Sequence, residues 1–131
     1  MRNRTFQLMI TGLLLAVLAA CGTVQTDLPD GIAVPEDNIF ITTQPEPPVA
    51  KQETTLTVEL KKLPEPDDTT VDLEIRKEGS VRGKFIKTKP DKGGENFSTQ
   101  TTFDDAGKYE VIIHIYAPDV HQTVPRDLEV Q

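Results

Sequence analysis

The stretch "GKYEVIIHIYA", Gly107 to Ala117, alternates with a period of two: Tyr109, Val111, Ile113 and Ile115 fall on one side, and Glu110, Ile112, His114 and Tyr116 on the other. A helix would scatter these β-branched residues around its circumference, whereas a strand lines them along one face. The run is therefore read as a strand with an apolar inner face and a mixed outer one. On this alternation His114 points away from the core.

The residues just before it carry a second, local signal. "DDAGKYEV" has the order D-x-G-x-Y in Asp105, Gly107 and Tyr109, which resembles the tyrosine corner of immunoglobulin-like sandwiches, where a tyrosine hydroxyl bonds back across a turn. Gly107 supplies the backbone freedom such a turn needs. Two residues beyond the tyrosine, where antibody domains have a cysteine, stands Val111.

Working outward, "TTLTVELKKL" alternates Leu56, Val58 and Leu60 with Thr57 and Glu59, and "VDLEIRKEG" alternates Val71, Leu73 and Ile75 with Asp72, Glu74 and Arg76. "ENFSTQTTF" places Phe97, Thr99, Thr101 and Phe103 on one side, "NIFITT" starts the series, and "RDLEVQ" closes it with Leu128 and Val130. "GKFIKTKP" reads as an edge strand, where Lys84, Lys87 and Lys89 discourage pairing with other chains. No segment after residue 21 has helical spacing. The expected fold class is all-β: an immunoglobulin-like antiparallel β-sandwich of about seven strands over residues 38–131.

The N-terminus has a different composition. In "MRNRTFQLMITGLLLAVLAA", Arg2 and Arg4 precede an apolar run that ends in small residues, so residues 1–20 are expected to be a signal peptide. The run is too short for a spanning helix, which needs about 20 apolar residues. "LAAC" then looks like a bacterial lipobox, in which Cys21 receives the lipid anchor. Two or more acyl chains hold a protein firmly at a bilayer where one does not. Residues 21–37 are expected to be the lipidated cysteine and a flexible linker, because "GTVQTDLPDGIAVPED" has irregular prolines and glycines and no period. The expected location is the extracytoplasmic side of a bacterial cell membrane.

Without residues 1–20, the basic residues fall from 14 to 12 against 21 acidic ones, a formal charge of −9. Such a chain is a poor ligand for nucleic acid and is repelled by an anionic lipid surface. The membrane through its lipid, and an extracytoplasmic protein or small ligand, are the expected partners. Cys21 is the only cysteine, so once it is acylated the hydrophobic core holds the fold without a disulfide.

Enzyme motifs are missing. The sequence contains no G-x-S-x-G elbow, no H-E-x-x-H helix and no phosphate-cradling glycine loop, and the acidic pairs Asp67–Asp68 and Asp104–Asp105 flank turns. A calcium loop of the D-x-[DN]-x-[DN]-G type is also missing. The protein is therefore expected not to be an enzyme and to need no cofactor. The exception to weigh is His114 with His121, a candidate copper or zinc site to which Tyr116 or Asp119 would add oxygen. Two histidines are too few to close a metal site. The residues alone thus favour His114 as decoration of the outer sheet face and His121 as a loop residue.

The stretch from about Glu53 to Val130, through "TTLTVEL", "VDLEIRKEGS", "DDAGKYEV" and "IHIYAPDVHQTVP", resembles the YtkA-like domain of Bacillus-type lipoproteins. That resemblance implies an immunoglobulin-like sandwich tethered outside the membrane, acting as a binding or interaction module. Some related domains occur beside copper-handling proteins, which implies copper binding or delivery as the alternative role. His114 matches the strand histidine of the family pattern, His121 its loop histidine and Pro125 its closing proline, while Val124 stands where the pattern has methionine. The missing thioether weakens the expectation of a soft-metal site.

Overall fold

The computed structural model describes residues 31–131; the expected signal peptide and Cys21 lie outside the described residues. Eight strands follow one another: β1 (Ile39–Gln44), β2 (Glu53–Leu60), β3 (Thr70–Lys77), β4 (Lys84–Lys87), β5 (Lys89–Pro90), β6 (Asn96–Thr102), β7 (Gly107–Ala117) and β8 (Val120–Val130). They form two antiparallel four-stranded sheets, ordered β1-β2-β6-β5 and β4-β3-β7-β8. Helical geometry among the described residues is confined to single 3-10 turns at Glu36–Asn38 and Pro66–Asp68. The fold is an immunoglobulin-like β-sandwich, all-β as expected.

Seven expected strands become eight because "GKFIKTKP" divides between the sheets. β4 pairs with β3, and β5 pairs with β6. Thr88 marks the crossing: its amide and its hydroxyl both donate to the Val71 carbonyl, at 3.3 and 2.6 Å, and the next residue joins the opposite sheet. A strand that changes sheets at a corner in this way links the two layers at one edge.

The two inner faces meet in one core. Leu56, Val58, Leu60 and Phe97 come from one sheet, and Val71, Leu73, Val111, Ile113, Ile115, Val124 and Val130 from the other, all nearly inaccessible to solvent. Those in β2, β3, β6 and β7 are residues that the period-two reading turns inward. The tyrosine corner is present as well. The Tyr109 hydroxyl donates to the Asp105 carbonyl at 2.9 Å, and the Tyr109 ring meets Phe103 edge-on at 4.9 Å. Gly107 has φ +128°, a conformation that side chains resist. The Asp105 carboxylate faces outward and accepts from Lys77 Nζ at 2.9 Å.

Two expectations are corrected. The loop expected between β7 and the last strand is only Pro118–Asp119, so β8 begins at Val120 and His121 lies on it. Proline presets φ at the first turn position and Asp119 takes φ +60° at the second, which closes the hairpin in two residues. Pro125 does not interrupt β8, because this is an edge strand and proline's missing donor is tolerated there.

The second correction concerns the linker expected to run to residue 37. Ala33 and Val34 are buried in the core. Gln122, an inward-facing polar residue of β8, accepts from the Ala33 and Val34 amides at 2.9 and 3.0 Å and donates to the Val34 carbonyl at 2.8 Å. Arg126 adds bonds to the Glu36 and Ile39 carbonyls at 3.1 and 3.3 Å. The folded domain therefore starts before residue 38, as a strap clasped by β8.

Gln122→Leu should leave the strap's polar groups unpaired, lowering stability to urea by about 2 kcal/mol, while Tyr109→Phe should cost about 1 kcal/mol. Hydrogen exchange separates the two. In Gln122→Leu the Val34 amide should exchange faster with Ile113 unchanged, and equal protection of Val34 in both chains would refute the clasp.

Candidate metal site on the outer sheet face

On the face of β4-β3-β7-β8 away from the core, the short hairpin turn sets the register. Tyr116 is opposite His121, and His114 is opposite Thr123. The two histidines, seven positions apart in the chain, thus become diagonal neighbours. His114 Nδ1 and His121 Nε2 are 3.2 Å apart. The rings of Tyr116 and His121 stack at 4.3 Å and 13°, those of His114 and His121 lie at 5.5 Å and 23°, and Phe85 packs on His114 at 5.4 Å. An aromatic row drawn from three strands therefore presents one ring nitrogen toward another.

The other edge of His114 faces a carboxylate. Its Nε2 lies 3.5 Å from Glu74 Oε2, and both side chains are close to nine-tenths buried, at 12% and 11% exposure. Glu74, expected on the outer face, is there but is not wet. A Cβ built on Gly83 would collide with Glu74 Cγ, Cδ and Oε1, so the chain at Gly83 lies directly over the carboxylate. Arg76 Nη2 donates to Glu74 Oε1 at 2.6 Å, and Arg76 Nη1 lies 3.6 Å from Glu110. The hydrogen bond from Arg76 holds the Glu74 carboxyl below its ordinary value near 4.5, with burial pulling the other way.

Two nitrogens 3.2 Å apart, each about 2.05 Å from a shared ion, subtend about 100° at it, an angle suited to adjacent ligands of a tetrahedral or tetragonal metal. Imidazole suits copper(II) and zinc. Among the described residues, no three His, Cys, Asp or Glu side chains are grouped to hold an ion. Asp119 thus does not join the pair, and Tyr116 meets His121 through its ring face. A metal here would take its remaining ligands from water or from a partner's donor.

Val124 is fully buried in the core, on the face of β8 opposite His121. A side chain at this position packs beside Ile113, so position 124 belongs to the core and supplies no ligand to the pair.

Sequence reasoning placed His114 on the outer face and named His121, but missed Glu74 and Phe85 as their neighbours. Period two alone puts Glu74 and His114 on one face. Their contact depends on the pairing of β3 with β7, which no local pattern reveals.

Because the folded chain ionises Glu74 more readily than the unfolded chain, its contribution to stability is complete above about pH 4.5 and disappears as pH falls through the lower folded-state value. Urea unfolding from neutral to acidic pH should therefore show the unaltered chain losing stability more steeply than Glu74→Gln. Parallel profiles would contradict the assignment.

No protein-family profile matches the chain, and no curated protein matches it. Solved structures do. The soluble domain of PmoD from Methylocystis sp. (Rockwell) aligns with TM-score 0.53 and 18% identity over 71% of this chain and 90% of that one. The Lin-41 filamin domain aligns with TM-score 0.50 and 13% identity over 77% of this chain and 96% of that one. At these identities the likeness is one of fold, and it places the described residues among immunoglobulin-like β-sandwich domains.

Proposed function

We propose that this protein is a membrane-anchored extracytoplasmic lipoprotein whose YtkA-like sandwich acts as a binding module, not an enzyme, and that its ligand is a copper(II) or zinc ion held by His114 and His121. The observation that carries the metal reading is the 3.2 Å approach of His114 Nδ1 to His121 Nε2. A pair of imidazoles with open coordination positions suits an ion that is to be passed on, since a partner's donor can enter without displacing a protein ligand. Anchoring rests on the lipobox at Cys21, and the finer family reading on the order His114, His121, Pro125 after the D-x-G-x-Y corner.

A second reading, an interaction module that binds a protein or small ligand without metal, draws support from Phe85, 64% exposed beside the pair. Calorimetric titration of the full chain in detergent separates the two. The metal reading expects one copper(II) or zinc per chain at micromolar affinity or tighter, abolished in His121→Ala. Absence of binding, or binding unchanged in that variant, transfers the assignment to the second reading.

The anchor is tested apart from the metal. Globomycin treatment should leave a larger, uncleaved precursor and Cys21→Ala should abolish labelling by a radioactive fatty acid, and an unaltered size together with unaltered labelling would exclude lipidation at Cys21.

A further inference from the structure

His114 Nε2 is shielded from solvent and makes no hydrogen bond of good geometry. Among the described residues, the ionisable group it faces at ion-pair distance is Glu74, whose Oε2 is 3.5 Å away. A neutral imidazole carries its proton on one nitrogen and a lone pair on the other. With the lone pair on Nε2, it would point at a carboxylate oxygen across a gap shielded from solvent, a repulsive arrangement in a medium of low dielectric. With the proton on Nε2, the same gap holds an attraction, and Nδ1 is left bare toward His121. The carboxylate cannot easily swing away, because Arg76 grips its other oxygen at 2.6 Å and the chain at Gly83 covers it.

We propose that Glu74 is the positioning residue of this site: it holds the His114 proton on Nε2 and so presents Nδ1 as a ready metal ligand beside His121 Nε2. This rests on the metal reading of the pair. In the metal-free chain the order is Glu74 carboxylate, Nε2–H of His114, then Nδ1 of His114 accepting from Nε2–H of His121. Metal entry needs only His121 to move its proton to its own Nδ1, and His114 is already in the binding tautomer. Carboxylates that fix a ligating imidazole in this way typically change metal affinity 10- to 100-fold when removed.

The geometry also provides a variant that deletes no charge. Gly83→Ala places a methyl group against Glu74 Cδ at 2.8 Å and closer still to Cγ and Oε1, so the carboxylate must leave its present place between Arg76 and His114 while Glu74 and Arg76 both remain.

Long-range proton–nitrogen correlation on 15N-histidine-labelled full chain in detergent reads the tautomer without metal. The unaltered chain should show His114 with Nε2–H and bare Nδ1, and Glu74→Ala and Gly83→Ala should each shift it toward Nδ1–H. Copper(II) titration of the same samples should weaken about 10- to 100-fold in both variants. A proton on Nδ1 in the unaltered chain, or a tautomer unchanged in Gly83→Ala, overturns the proposal. If the unaltered chain shows the expected tautomer and its shift but binds no copper(II), the positioning by Glu74 stands and the metal reading alone falls.

Discussion

The two-residue turn at Pro118–Asp119 is the constraint on which the outer face depends. It fixes Ala117 opposite Val120, and every later pairing between β7 and β8 follows from that. A slip of one residue would turn Val124 and Val130 out to solvent and drive His121 and Asp127 into the core. The burial of two valines therefore enforces the meeting of two histidines on the opposite side of the same strand. The site's precision comes from the core.

The outer face is unusual for a sandwich because part of it is dry. Sheet faces that look outward normally carry solvated polar residues, yet Glu74 sits beneath the Gly83 backbone, flanked by Arg76 and His114. A carboxylate so covered is tolerated only when paired. The guanidinium supplies that pairing while keeping its other arm on Glu110, so the charge cluster is tied across β3 and β7. The histidine pair is supported from below by the core and from the side by this cluster.

Features held together by neighbouring residues were legible in the sequence. The strand Gly107–Ala117 announced itself through its alternation, and the tyrosine corner through a bond that spans four residues. What stayed hidden depended on distant partners. The first half of β8 has no local signal, because Gln122 puts a polar side chain at an inward position and Pro125 lacks a ladder donor. Gln122 makes sense only once Val34, far away in the chain, supplies the groups it bonds. Likewise the histidine pair was visible as two residues, but their separation was set by the length of a turn, and Glu74 joined them only through strand pairing.

The clasp on the strap also has a mechanical meaning. A pull on the N-terminal side of the domain reaches the Gln122 and Arg126 bonds before it reaches the ladder between β1 and β2. Those few bonds would yield first, releasing the eight residues Gly31–Asn38 as slack of at most about 29 Å at 3.6 Å each. The sandwich itself would stay folded while that length pays out. Under such a pull, load would be spent on side-chain bonds from β8 before it could shear a sheet.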